Sequence, residues 1–157
     1  MDYLIRELAQ EEVGILDIFL YEAIFIPKGI HAPPKDIINQ PYLQVYVKDF
    51  GKNIGDTCLV AQVDNEIVGA VWSRIMNDYG HVDDETPSLA ISVLKQYRNC
   101  GIGTELMKRM LLLLKAHGYK QVSLSVQKMN YAVGMYKKVW FRIIDEHDEE
   151  YIMLCSL

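Results

Sequence analysis

At 157 residues, half of them apolar and 24% charged, the chain has the length of one domain, residues 1–157. It can bury a real hydrophobic core, so it needs no disulfide or metal staple. No unbroken apolar run is longer than Met110 to Leu114, far short of the roughly 20 residues that span a bilayer. The net charge of −5 discourages a nucleic-acid partner. The start, Met1 to Arg6, lacks the basic and then apolar pattern of a signal peptide, so the expectation is a soluble, cytoplasmic protein with no membrane partner.

The elements follow in chain order. Tyr3 to Glu7 is a short apolar-rich run that reads as an edge strand. From Gln10 to Phe25, Val13, Leu16, Phe19, Leu20 and Ala23 recur at helical spacing, and Glu11 and Glu12 suit a first turn. Pro27-Lys28-Gly29 and Pro33-Pro34 break that helix into a loop, and Pro34 can open a second, short helix. Asp56 to Val63 and Glu66 to Met76 form a hairpin turning at Asp64-Asn65. After a polar loop, Asn77 to Pro87, comes a third strand, Ser88 to Leu94. Gly101 to His117 is the clearest helix, with Ile102, Leu106, Met110 and Leu113 along one face and Gly118 where a C-terminal cap belongs. A strand over Gln121 to Gln127, a short helix over Asn130 to Lys138 and a hairpin of Phe141 to Asp145 with Tyr151 to Leu154 complete the chain. The strand-helix-strand unit Ser88 to Gln127 implies a parallel pair inside an otherwise antiparallel sheet, an α+β arrangement.

The most informative stretch is Val93 to Thr104, where a strand ends, a turn carries Gly101 and Gly103, and an amphipathic helix begins at once. Glycines let the backbone approach a ligand closely, and the first N–H groups of a helix point outward unpaired, so the turn suits a phosphate or pyrophosphate. Two familiar phosphate loops do not fit. A dinucleotide fingerprint needs a third glycine where Leu106 stands, and a Gly-Lys-Ser/Thr loop is absent. An ordinary strand-to-helix turn would have the same look.

Arg98-x-x-Gly101-x-Gly103 is similar to the Arg-x-x-Gly-x-Gly signature of the GNAT family of N-acetyltransferases. Asn130 to Phe141 resembles, in register, that family's Asn-Pro-Ala-x-x-Leu-Tyr-x-x-Leu-Gly-Phe run. Tyr131 stands where the family commonly has proline, and Trp140 where it has the glycine before the closing phenylalanine. The resemblance extends over nearly the whole chain in the order of elements. It implies a mixed, mostly antiparallel sheet whose central parallel strands splay apart, with helices on both faces. The pantetheine arm of acetyl-CoA would lie in the splay. Main-chain groups near Ile91 and Val93 would pair with the arm, as in strand addition. The backbone of Arg98, Asn99, Cys100, Gly101, Ile102, Gly103 and Thr104 would hold the pyrophosphate, and Asn130 would reach the pantetheine. Tyr136 would protonate the leaving thiolate as general acid, its phenol being closer to a thiol in pKa than a carboxylic acid is.

The implied reaction is direct attack of an amine on the thioester, without an acyl-enzyme. Cys100, at a helix start, has no evident base beside it and offers its backbone rather than a nucleophile. For the base that frees the amine, the loop before the third strand supplies His81, Asp83, Asp84 and Glu85, with Glu85 the first choice and a solvated acidic loop the bland alternative. His81-x-Asp83 lacks further ligands, so no metal is expected. The Tyr21 to Pro34 loop, with Phe25, Pro27 and His31, falls where this family shapes its acceptor pocket. The Asp145 to Glu150 turn reads as solvated, although in the family it can border the acceptor or a partner subunit, which leaves a homodimer open. The acceptor is an amine on a small molecule or a peptide. A catalytically silent CoA-binding module, acting as a sensor or partner-binding subunit, is the second reading.

Charge is unevenly spread. Lys95 to Lys138 holds nine Lys or Arg against one acid, Glu105, a net +8, and the remainder carries −13. The basic stretch is the one that resembles the site for the polyanionic cofactor, and the acidic remainder would favour a cationic amine.

Overall fold

The computed structural model describes residues 1–157. Its frame is one sheet of seven strands, β1 (Leu4–Glu7), β2 (Thr57–Val63), β3 (Glu66–Arg74), β4 (Ser88–Val93), β5 (Gln121–Gln127), β6 (Arg142–Glu146) and β7 (Glu150–Ser156), in the order β1-β2-β3-β4-β5-β7-β6. Every pairing is antiparallel except β4 with β5. The hairpin at Asp64 is made as expected, with Asp64 at φ +53, a left-handed conformation that Asp tolerates better than most residues. The last hairpin folds back so that β7, not β6, lies against β5, and β6 becomes the outer edge. No helix is long and apolar enough to cross a membrane.

Alternation along the strands builds two cores. On one face Leu59, Val71, Leu89, Val122, Leu124 and Met153 pack against α3 (Ile102–Ala116), whose Ile102, Leu106, Met107, Met110 and Leu114 are fully buried. On the other, Cys58, Val60, Ala70 and Trp72 pack against Leu16, Phe19 and Leu20 of α1 (Leu16–Glu22). The single helix expected over Gln10 to Phe25 is two pieces, a 3-10 turn over Gln10–Ile15 followed by α1. Pro34 caps a 3-10 turn at Lys35–Asn39 and Pro41 opens the short α2 (Pro41–Gln44), an element the proline-rich sequence concealed. Pro suits that first position because the N–H it lacks would be unpaired there anyway.

The last helix, α4 (Ala132–Lys138), ends in a capping turn in which Phe141 N–H reaches the Tyr136 carbonyl at 3.0 Å. Such a turn requires a left-handed residue at its corner, and Trp140 occupies it at φ +79 with 83% of its surface exposed. The turn is therefore made although no glycine stands at its corner. A bulky residue held there is strained by about 1 kcal/mol or more and gains little packing in return. Trp140→Gly should stabilise the chain by about 0.5–1 kcal/mol, a rise in Tm of roughly 1–4 °C by thermal denaturation. An unchanged or lower Tm would show that the indole makes a stabilising contact.

Candidate active site

β4 and β5 touch at one point only. Ser88 pairs with Ser123, whose N–H donates to the Pro87 carbonyl at 3.0 Å. Beyond that root the strands part, and a cleft of about 1810 Å³ opens between them. Usual small-ligand sites hold roughly 300–1,000 Å³, so this cleft exceeds what one small ligand needs. Ile91, Val93, Arg98, Asn99, Gly101, Gly103, Thr104, Asn130 and Tyr136 all line it. Cys100 and Ile102 do not. Cys100 is exposed, with its thiol near the Arg98 carbonyl, and the Ile102 side chain is committed to the core.

Where β4 ends, Asn99 and Gly101 both take left-handed conformations, φ +61 and +85. This turns successive N–H groups outward, the geometry of an anion nest. Every main-chain N–H from Asn99 through Thr104 lacks a backbone acceptor in the chain, and pairing resumes at Glu105, which bonds the Gly101 carbonyl at 3.1 Å. Such a row at the positive end of a 15-residue helix is a site for a phosphate group. The Arg98 side chain is occupied otherwise. Its Nε donates to the Val93 carbonyl at 2.8 Å and its Nη2 lies 3.3 Å from a carboxylate oxygen of Glu22. It therefore braces the turn between β4 and α1.

On the α3 side of the gap, Tyr136 is buried to 8% exposure, its ring 6.0 Å from that of Phe141. Burial, with a smaller push from Tyr131, raises its phenol above the ordinary tyrosine value, so the group stays protonated at any working pH. Asn130 spends its side-chain carbonyl on the Ala132 N–H at 2.9 Å, capping the entry to α4. Its amide NH₂ is the part left for the cleft.

On the α1 side the structure corrects the sequence reading. Glu85 is exposed and does not line the cleft, and neither do His81, Asp83 and Asp84. The loop crosses β5 at Gly80, whose carbonyl accepts from Ser123 Oγ at 2.6 Å and where a Cβ would lie 3.0 Å from the Ser125 nitrogen. It then runs beyond the closed root of the gap, where Thr86 Oγ1 accepts from Gln121 at 3.0 Å. The acidic residues there serve the loop itself. Asp83 caps Glu85 N–H at 2.9 Å, and hydrogen bonds from Thr86 and that N–H hold its carboxyl below the ordinary range. Glu85 thus stands outside the cleft lining in this structure.

Residues that no motif marked take that side. Tyr46, Tyr79, Ser125 and Glu150 line the cleft. Tyr46 Oη donates to Asp78 Oδ2 at 2.8 Å and Ser88 Oγ donates to Asp78 Oδ1 at 2.7 Å. The Tyr21 to Pro34 segment contributes Tyr21, Phe25 and Ile30 but not Pro27 or His31, and the turn before β7, read as solvated, contributes His147, Asp148 and Glu149.

Comparison with known proteins agrees with this geometry. The model of the acetyltransferase (GNAT) family matches residues 27–141. The chain belongs to the GNAT family. An N-alpha-acetyltransferase of Sulfolobus acidocaldarius is 33% identical over 113 residues, 66% of each chain. A ribosomal protein bS18 alanine N-acetyltransferase of Haemophilus influenzae is 29% identical over 83 residues, 52% of each. The chain thus spans between half and two thirds of the length of these relatives. Among solved structures, the PaiA N-acetyltransferase of Thermoplasma acidophilum, in complex with coenzyme A, superposes with a TM-score of 0.74 at 18% identity over the full length of both chains. The mixed sheet with its parted parallel pair is the GNAT fold.

A Cβ built at Gly103 meets only Val93 and Met135, at 3.8 and 4.0 Å, both of them residues of the cleft wall. Gly103→Val should therefore leave Tm within a few degrees of the parent while weakening coenzyme A binding by about tenfold or more in calorimetric titration, a loss of ~1.4 kcal/mol. Undiminished affinity would place the phosphate groups elsewhere.

Proposed function

We propose that this GNAT protein is an acetyl-CoA-dependent N-acetyltransferase that transfers the acetyl group directly to the α-amine of a peptide or protein N-terminus. The observation that carries the cofactor assignment is the row of unpaired N–H groups from Asn99 to Thr104 at the open end of the β4/β5 gap. The phosphates would rest on that row, and the arm would take up the strand edges that β4 and β5 leave unpaired. Acetyl-CoA supplies the activated acyl group, and Ile91, Val93 and Asn130 would orient it.

Tyr136 acts as general acid to the departing sulfur. Its raised pKa suits it to the task, because a thiolate forming in the same buried wall is desolvated too and becomes a stronger base. The acceptor assignment draws on the relatives, which are named for transfer to an α-amino group. The wall of Tyr42, Tyr46 and Tyr79 with Glu149 and Glu150 suits a cationic amine carried on an extended chain.

The test is release of free CoA thiol with short peptides bearing free N-termini, with the same peptides N-terminally blocked but retaining lysine, and with polyamines, followed by mass identification of the product. Only the free N-termini should turn over. Tyr136→Phe should lower kcat by about 10²–10⁴-fold while leaving acetyl-CoA affinity in place. Full turnover by this variant would remove the acid, and no thiol release with any amine would favour the silent CoA-binding module.

A further inference from the structure

The acceptor amine must lose a proton before it attacks, and the carboxylates of the 81–85 loop lie outside the cleft. The fold builds something in their place. Trp72 Nε1 donates to the Tyr46 carbonyl at 3.1 Å, and Arg74 Nη1 donates to the carbonyls of Val45 and Lys48 at 3.1 and 2.9 Å. Arg74 is itself held by a two-point ion pair with Asp56, both side chains buried. The turn after α2 is thereby pinned to β3, and the phenol of Tyr46 reaches across β4 to Ser125 on β5. It stands at the root of the gap, bonded to Asp78, which Ser88 holds from its other oxygen.

Tyr46 lines the cleft and Asp78 does not, so a proton from the cleft reaches this carboxylate through the phenol. From the transferase reading above, we propose that Tyr46 and Asp78 form the proton relay for the acceptor amine. Tyr46 Oη takes a proton from the ammonium and passes its own to Asp78 Oδ2.

The step balances. One N–H bond breaks and one O–H bond forms on Tyr46, while the old phenolic O–H breaks and one forms on Asp78. The ammonium and the carboxylate both become neutral. The freed lone pair makes the C–N bond, the C–S electron pair leaves with sulfur, and sulfur takes the proton of Tyr136. The second amine proton goes to water, and Tyr136 is reprotonated from water. Asp78 returns its proton through Tyr46 once the amide departs.

The groups facing the Tyr46 phenol are Asp78 from the loop, Ser125 from β5 and Glu150 from β7; Arg74 of β3 is neutralised by Asp56. Burial and the two carboxylates keep the phenol protonated, so it conducts a proton and does not hold the charge.

The experiment compares kcat and KM for a free-N-terminus peptide across pH 6–9 for the parent, Asp78→Asn, Tyr46→Phe and Glu150→Gln, with Tm and calorimetric coenzyme A affinity for each. The parent is read first. If it turns over no amine, the transferase reading itself falls. Given turnover, both relay variants should lose about 10²-fold in kcat at pH 7, with coenzyme A affinity unchanged. The loss should narrow by about tenfold by pH 9, as the α-amine, with a pKa near 8, gives up its first proton unaided. Should one variant fold poorly, the other decides. Parent-like kcat in the folded variant, a loss independent of pH, or the pH-dependent loss appearing in Glu150→Gln instead would overturn the relay.

Discussion

The molecule is organised around a sheet that comes apart in the middle. Two parallel strands held by the single pair Ser88 and Ser123 leave main-chain donors and acceptors unmet along β4 and β5, and a sheet interior does not tolerate this unless something else meets them. The separation is maintained from both faces by the two cores, the α3 side around Leu106 and Met110 and the α1 side around Phe19 and Trp72. The unmet edges, the free N–H row at the start of α3 and the buried Tyr136 therefore follow from one topological choice, and they face one volume.

The α1 half of that volume depends on a second constraint, the Arg74–Asp56 pair. Removing either partner of a buried ion pair typically destabilises by about 3–5 kcal/mol, because the other charge is left uncompensated. Here the guanidinium also spends Nη1 on two carbonyls of the turn after α2. Asp56, in turn, accepts from the Gly51 and Asn53 N–H groups at 2.9 and 3.3 Å. A short helix and two turns with little apolar surface of their own are thus given a fixed position over the sheet. That position carries Tyr46 to the root of the gap.

What could be read from the sequence divides along the same line. The N–H row was legible because its geometry is local: a strand end, Arg98, two glycines and a helix start lie within a dozen residues. β2 and β3, buried on both faces, were legible as apolar runs bounded by turn residues, and α3 was legible because burial of one face imposes its period. Glu85 closely precedes β4 along the chain yet lies outside the cleft lining, because proximity in sequence is not proximity in space. The decisive feature was Gly80 pressed on β5, which sends the next residues past the closed end. Tyr46, Asp78 and Ser125 come from three separate segments joined by β3 side chains, a juxtaposition with no one-dimensional trace. Trp140 hid its left-handed turn in the opposite way, by carrying a residue that does not advertise it.

The uneven charge of the chain takes on a spatial meaning in the same cleft. Lys95, Arg98 and Lys138 line it from the basic stretch, whereas Asp148 and Glu149 line it from the turn before β7 and Glu150 as the first residue of β7. Arg98 is half-buried and answered by Glu22, so Lys95, Lys138 and the N–H row remain to meet phosphate. No basic side chain of that last turn offsets its acids, and His147 is its only other titratable member. A low-dielectric cleft focuses such fields more strongly than an open surface does. An anionic cofactor and a cationic acceptor would therefore be drawn to different walls, which keeps either from occupying the other's place.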